Sequence, residues 1–177
     1  IALYSAIKHK RLKKWEIVGG MVGGFFVAVQ ATTVPIIGVA IFTICTIGGQ
    51  TASSLLVDKW GISPRGKQHI TAPRVFAAVM TLIAVTVAVF PDLGKSTFKF
   101  APVFFALLVG AIVSFQQALN GRVNEHAKRP IATAWLNFLM GSFVLSIALA
   151  VDLLRGGNIG ALPSNPWVYM GGPIGLI

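Results

Sequence analysis

The stretch Trp15-Glu-Ile-Val-Gly-Gly-Met-Val-Gly-Gly24 decides the fold, because a related stretch, Trp167-Val-Tyr-Met-Gly-Gly-Pro-Ile-Gly-Leu176, lies near the other end of the chain. The tryptophans, the glycine pairs that follow them and one further glycine align at a constant offset of 152 residues. Similarity at a fixed spacing is the mark of an internal duplication. The two stretches therefore predict a repeat of about 150 residues.

The composition between the two copies is that of a polytopic membrane protein. Of the 177 residues, 55% are hydrophobic and only 11% are charged, whereas about a quarter of the residues in a soluble domain are charged. Runs without Asp, Glu, Lys or Arg extend from Glu16 to Asp58, from Arg74 to Asp92, from Lys99 to Arg122, from Arg129 to Asp152, and beyond Arg155. Crossing the bilayer core takes about 20 mostly apolar residues, so the first run is long enough for two helices and each later run for one.

The predicted fold class is therefore an all-α bundle with about five complete and two truncated transmembrane helices. Complete helices are predicted over about 15–32, 36–57, 72–89, 100–120 and 130–151, with Thr33-Val-Pro35 as the turn between the first two. Residues 1–7 resemble the end of a truncated helix, and another helix begins near Trp167 and is cut off at Ile177. Because the chain shows neither an initiator Met nor a signal peptide, we expect it to be a fragment of a longer protein.

Lysine and arginine are distributed unequally between the two sides of this bundle. The loops 8–14, 58–71 and 121–130, together with Arg74, carry 12 of them. The other side carries three, namely Lys95, Lys99 and Arg155. Short loops rich in Lys and Arg stay in the cytoplasm. We therefore expect the loops 8–14, 58–71 and 121–130 to be cytoplasmic.

The repeat and this orientation together predict an inverted duplication. Five helices, an odd number, separate Trp15 from Trp167, so the two copies enter the membrane from opposite sides. Inverted repeats are characteristic of secondary transporters. We expect residues 1–98 to be the C-terminal part of a first five-helix repeat and residues 99–177 to be the N-terminal part of a second. The complete protein would have about ten helices and about 300 residues.

Polar side chains at membrane depth are the candidate substrate-path residues. They are spaced by one helical turn in two sets, which place each set on one helix face: Gln50, Ser54 and Asp58 in one, and Gln116 and Asn120 in the other, with Asn137 on the next helix. An unpaired amide in hydrocarbon is costly, so these groups face protein or water. They either line a cavity near the repeat interface or form interhelical hydrogen bonds that hold the bundle together.

Small residues predict close helix packing. Gly19, Gly20, Gly23 and Gly24 form overlapping small-xxx-small pairs, and Gly141 follows Asn137 by one turn. Such pairs let helix backbones approach closely. We expect these glycines to be packing residues. The single cysteine, Cys45, is expected to pack as a small apolar residue.

Other function classes lack support in the sequence. The net charge of +10 resides in short loops and does not follow one helix face, which argues against nucleic-acid binding. We find no nucleophile–base pair, metal-ligand cluster or phosphate-binding loop, and so predict no catalytic residue, no metal, no cofactor and no enzymatic activity.

Three motifs give the chain a family resemblance. They are Gly49-Gln50-x-x-x-Ser54-x-x-x-Asp58-x-x-Gly61, Gln116-x-x-x-Asn120 followed by Pro130, and Asn137-Phe138-x-x-Gly141. With the glycine stretch after Trp15, they make the chain similar to the YdcZ-type family of bacterial inner-membrane proteins, in the EamA-like drug/metabolite transporter superfamily. The resemblance implies a fused two-repeat protein that exports small molecules. Gly121 and Pro173 depart from the family pattern without altering the resemblance.

The leading hypothesis is thus a secondary transporter of the bacterial inner (plasma) membrane that exports a metabolite by alternating access. The alternative is a non-transporting scaffold or accessory subunit, in which the polar faces serve only to join helices. An intramembrane enzyme would need catalytic residues outside these 177 positions. The expected partners are the lipid bilayer, a small-molecule substrate, a proton or other coupling ion, and a second copy of the chain in a homodimer.

Overall fold

Four α-helices make up most of the protein in the structure, a computed structural model that describes residues 18–92, 99–158, 160 and 164–170. They are α1 (Gly19–Trp60), α2 (Ala72–Val89), α3 (Phe100–Ala127) and α4 (Pro130–Leu154), with short 3-10 helices at Phe90–Asp92 and Pro166–Met170. These described ranges contain no strand. All four α-helices are long and apolar enough to cross a membrane.

Helix α1 is a hairpin of two helical arms. Gly38, with φ 79° and ψ 158°, interrupts it and separates a first arm (19–37) from a second arm (39–60). The rings of Phe26 and Phe42 meet edge to face with centroids 5.8 Å apart. An unbroken helix would separate these two residues by about 24 Å. The second arm therefore folds back along the first.

The turn predicted at Thr33-Val-Pro35 is wrong, because the chain reverses at Gly38. Pro35 lies inside the helical segment before the break. A proline removes one backbone hydrogen bond and bends a helix, but its φ is helical. The backbone conformation of Gly38 is accessible essentially only to glycine, and it ends the first arm.

The other helix boundaries agree in part with the predictions. Helix α2 spans Ala72–Val89, as predicted. Helix α3 continues to Ala127, so the prediction that 121–130 is a loop is wrong for most of its length. Charged and amide residues resemble a loop in the sequence, yet a helix can extend past the bilayer core when water solvates those side chains. Helix α1 likewise includes 58–60, and α4 continues to Leu154.

Several predictions fall outside the described residues. They concern the helix end at 1–7, the loop 8–14, Trp15 and the glycine pair of the second copy at 171–172. The helix predicted to begin near Trp167 is described only over Pro166–Met170, where the chain forms a 3-10 helix.

The second arm and α3 run parallel and touch through two glycines. A Cβ built on Gly49 would overlap the carbonyl oxygen of Leu107, and one built on Gly110 would overlap the carbonyl oxygen of Thr46. The two backbones are therefore in direct contact. Helices in a membrane pack this closely only where side chains are small.

Two serines continue this contact one turn further along both helices. The hydroxyls of Ser53 and Ser114 lie 2.6 Å apart, and the Ser114 hydroxyl also donates to the carbonyl oxygen of Ala111 at 2.9 Å. Both serines are buried. The pattern Gly-x-x-x-Ser thus occurs on both helices of the crossing, and this small-xxx-small pair was not among the predicted packing residues.

Apolar side chains fill the space between the second arm, α2 and α3. The buried cluster consists of Phe42, Cys45, Val85, Val89, Val103, Ala106 and Val109. Cys45 is fully buried, in agreement with its predicted role as a small apolar residue. Large apolar side chains such as Val39, Phe76 and Val87 point outward and are exposed, as expected of a surface whose solvent is hydrocarbon.

The described residues from 146 to 170 belong to a second compact unit, which includes the end of α4. After α4 the chain turns at Gly156, which has φ 87°, and the Gly157 N–H donates to the carbonyl oxygen of Asp152 at 2.9 Å. The Asn165 side chain accepts a hydrogen bond from the Trp167 N–H at 3.1 Å. This contact supports the start of the 3-10 helix at Pro166–Met170, since Asn side chains commonly bond to the backbone two residues on.

Candidate functional site

A cavity of about 420 Å³ lies between the first arm, α3 and α4. Its lining consists of Gly23, Gly24, Val27, Gln116, Asn137, Phe138, Gly141, Ser142 and Leu145. None of these residues is charged, and three of them offer polar side chains. The volume lies within the range of small-molecule binding sites, which are mostly apolar with a few placed polar groups.

The amides of this cavity lie against the glycine face of the first arm. A Cβ built on Gly20 would lie 3.1 Å from Oδ1 of Asn137, and one built on Gly23 would lie 3.2 Å from Nε2 of Gln116. Because Gly20 and Gly23 have no side chain, the amides of Asn137 and Gln116 can occupy the space beside the first arm. The packing glycines and the substrate-path amides, which the sequence predicts as separate groups, therefore lie against each other in the structure.

The remaining predicted glycines lie on the same face of the first arm. A Cβ built on Gly19 would lie 3.5 Å from Oδ1 of Asn120, one helical turn from Gln116. A Cβ built on Gly24 would lie 2.6 Å from the carbonyl oxygen of Gly141. The first arm and α4 are thus nearly in backbone contact at Gly24, while the amides fill the space beside the preceding glycines.

The polar face of α3 is longer than the sequence predicts. Because α3 continues as a helix, Asn124 lies one turn beyond Asn120, and Gln116, Asn120 and Asn124 share one face. On α4, Thr133 lies one turn before Asn137. The Asn124 Oδ1 and Thr133 Oγ1 atoms are buried and, among the described residues, have no hydrogen-bond partner. The spacing of four residues would have revealed Asn124 if the predicted helix had not ended at Asn120.

The set on the second arm does not line this cavity. Gln50 and Ser54 are half-buried, and the Ser54 hydroxyl donates to the carbonyl oxygen of Thr51 at 2.7 Å. Asp58 lies near the end of the arm, where its Oδ2 is 2.7 Å from a guanidinium nitrogen of Arg74. The substrate-path role of Gln50, Ser54 and Asp58 stays a prediction.

The segments 58–71 and 121–130 meet at one end of the bundle. Gly61, with φ 69°, caps α1. The Arg122 guanidinium donates to the carbonyl oxygens of Gly61, at 2.8 Å, and Ile62. Two segments that the charge distribution assigns to one side of the membrane therefore lie together, and that this side is cytoplasmic stays a prediction.

Removing either partner of the Asp58–Arg74 ion pair is expected to lower the stability of the protein by a different amount. The Asp58 side chain is 12% exposed and Arg74 is 46% exposed. Among the described residues, the buried Oδ2 atom of Asp58 accepts no hydrogen bond, so its negative charge is compensated by the ion pair with Arg74. Arg74→Gln should therefore lower stability by about 1 kcal/mol, allowing for solvent screening of the half-exposed arginine, and Asp58→Asn by less. Unfolding temperatures of both variants and of the double variant in detergent would measure this. Equal losses for the two single variants would contradict it.

Neighbouring glycines of the first arm are expected to differ in their tolerance of alanine. The Cβ in Gly24→Ala meets the backbone of α4, which cannot give way, and overpacking of this kind costs about 1–3 kcal/mol. The Cβ in Gly23→Ala meets the flexible end of Gln116, and alanine favours the helix by about 1 kcal/mol. Thermal unfolding should therefore show a lower midpoint for Gly24→Ala alone. A similar fall in the unfolding midpoint of both variants would contradict the close backbone contact between Gly24 of the first arm and Gly141 of α4.

Across the described ranges, no three His, Cys, Asp or Glu side chains lie close enough together to hold a metal ion.

The described residues form helices joined by short loops, and several of these helices are long and apolar enough to cross a bilayer. With the uncharged, amide-lined cavity between them, this is the form of a polytopic membrane protein. Comparison with family models matches two regions of the chain, residues 2–87 and 101–177, to the family described as "Putative inner membrane exporter, YdcZ". These regions include most of the chain, which therefore belongs to the YdcZ family. The family's description is that of an inner-membrane exporter and not of an enzyme. Comparisons with curated proteins and with solved structures gave no match.

Proposed function

We propose that the chain forms part of a secondary transporter that exports a small molecule by alternating access between two inverted five-helix repeats. The observation that carries the proposal is the cavity between the first arm, α3 and α4, into which Gln116 and Asn137 project from two different helices. Membership in a family described as an inner-membrane exporter supports the same function.

Two observations support the repeat architecture. The two regions matched by the family model are separated by residues 88–100, close to the proposed boundary between 98 and 99. The two arms of α1 count as two spans, so that α1 to α4 supply five spans. Their directions alternate, since the second arm is parallel to α3 while Gly20 and Gly24 of the first arm follow Asn137 and Gly141 of α4 in the same order. In this architecture the substrate site lies near the interface of the repeats.

The chemistry of the cavity suits a substrate with hydrogen-bonding groups. Each amide offers two donors and an acceptor, and Ser142 offers a hydroxyl. Val27, Phe138 and Leu145 supply apolar surface. Among the described residues, the cavity lining holds no carboxylate, so the coupling of transport to a proton would use groups elsewhere in the protein.

The alternative function is a membrane scaffold. The contacts of Gln116 and Asn137 with glycines of the first arm are also those expected of amides that only join helices. The two functions differ in what happens when an amide is replaced by an apolar side chain of similar size. A scaffold needs the packing, whereas a transporter also needs the polar group.

The test is flux through the full-length protein in proteoliposomes. Small amines, amino acids and toxic metabolites would be tested with and without a proton gradient. Gln116→Leu removes an amide from the cavity, while Gln117→Leu makes the same chemical change at the exposed neighbouring position. We expect flux of at least one substrate, lower by about tenfold in Gln116→Leu and unchanged in Gln117→Leu. No flux across the panel, with both variants as stable as the parent, would favour the scaffold.

A further inference from the structure

We propose that the loop after α1 forms a binding site for the phosphate of an anionic phospholipid. A second cavity, of about 360 Å³, is lined by Lys59, Lys67, Gln68, His69 and Ile70. Two ammonium groups and a histidine line it, and none of these five lining residues carries a carboxylate. The proposed lipid site is independent of the proposed transport function, because none of these five residues lines the cavity between the first arm, α3 and α4.

The loop is held in a defined shape by hydrogen bonds. Gln68 N–H donates to the carbonyl oxygen of Asp58 at 3.0 Å, and Ile62 N–H donates to that of Val57 at 3.1 Å. Arg122 of α3 binds two further carbonyl oxygens of the loop. The aliphatic part of Lys67 packs over Gly61, where a built Cβ would lie 2.8 Å from Cγ of the lysine. The cavity is therefore a feature of the folded loop and not a gap between free side chains.

The charges of the cavity are available to a ligand. Asp58, the acidic residue nearest in the chain, is engaged by Arg74. Within the part of the chain that the structure describes, neither Lys59 nor Lys67 has a carboxylate within ion-pair distance. Ammonium groups and imidazole N–H groups are donors that bind phosphate oxygens. The lining thus fits a group with negative charge and several acceptor oxygens.

The position of the cavity favours a lipid over a soluble phosphate. Lys59 lies in the last turn of α1, at the end of an apolar arm, and the neighbouring Trp60 is exposed. Tryptophan is enriched at the headgroup level of membranes. Ile70, also exposed, adds apolar surface to the cavity rim. Basic pockets at helix ends bind anionic headgroups in this way, while the acyl chains lie along the adjacent apolar helices.

Lipid binding to the purified full-length protein in detergent tests the site. Phosphatidylglycerol and phosphatidylcholine would be added separately, and bound lipid counted by native mass spectrometry. Lys59→Gln/Lys67→Gln removes two charges from the cavity. Lys128→Gln/Arg129→Gln removes two charges from the same end of the bundle but outside it, at exposed positions. If the first double variant does not fold, Lys67→Gln alone is used.

We expect selective binding of phosphatidylglycerol by the parent and by Lys128→Gln/Arg129→Gln. Binding to Lys59→Gln/Lys67→Gln should be weaker by about tenfold or more. Equal losses in the two double variants would mean that only the general positive charge attracts the lipid, and would overturn the site. Equal binding of phosphatidylglycerol and phosphatidylcholine by the parent would also overturn the site. Displacement of the lipid by millimolar inorganic phosphate would assign the cavity to a soluble phosphate and overturn the lipid proposal.

Discussion

Gly110→Ala is expected to prevent stable folding of the bundle. The added Cβ would overlap the carbonyl oxygen of Thr46, and its next neighbours are the Cα and carbonyl carbon of the same residue, each 2.8 Å away. Backbone atoms cannot rotate out of the way as a side chain can, so the second arm must separate from α3. That movement would also break the Ser53–Ser114 contact. We expect a loss of about 3 kcal/mol or more, at the upper end of what overpacking costs.

Gly141→Ala is the matched control for this prediction. Gly141 is also a buried helical glycine, but the nearest atom to a Cβ built there is 3.4 Å away, which is ordinary contact. Thermal unfolding in detergent and the yield of monodisperse protein would compare the two variants. Gly110→Ala should fall well below the parent, and Gly141→Ala should remain close to it. A Gly110→Ala protein as stable as Gly141→Ala would mean that the second arm and α3 are not in backbone contact.

Asn137→Leu is expected to lower transport strongly, because it removes the second amide of the cavity. Leucine has nearly the shape of asparagine, so the variant should still pack against Gly20. The cavity loses the amide that α4 contributes to it. One hydrogen bond is worth about 0.5–1.5 kcal/mol, and about 1.4 kcal/mol corresponds to a factor of ten. We therefore expect flux to fall by about tenfold.

An asparagine-to-leucine substitution outside the cavity provides the control for the flux measurement. Asn158→Leu changes an exposed asparagine in the segment after α4 and should leave flux unchanged. Initial rates in proteoliposomes, measured at equal amounts of folded protein, would separate the two variants. A folded Asn137→Leu protein with the flux of the parent would remove Asn137 from the substrate path and weaken the proposed function.

The helices could be predicted from the sequence because each apolar run has clear limits. Helix α2 lies between a turn-rich loop and Phe90-Pro91, and its predicted bounds agree with the structure. The hairpin of α1 was predicted, but its turn was placed at Pro35, because proline is the more visible signal in a sequence. Whether a glycine adopts the conformation of Gly38 depends on the packing of the arms on either side of it.

The candidate site was predicted only in part. Gln116 and Asn137 were identified individually as polar groups at membrane depth, and the structure places both in one cavity. Their contact with the glycines of the first arm could not be predicted, because it depends on how each helix is rotated about its axis. Asn124 was missed because a run of charged and amide residues resembles a loop, although here it continues a helix.

The sequence by itself determined the class of this protein: the lengths of its apolar runs, its unequal loop charges and its internal similarity are properties of the chain that need no partner in space. Only the tertiary structure decided which polar groups meet. In lipid, burial of apolar surface does not favour one helix face over another. The facing surfaces are instead selected by close contacts between small residues, as at Gly49 and Gly110, and by hydrogen bonds such as Ser53–Ser114. Those contacts join residues far apart in the chain, so they exist only once the helices have packed.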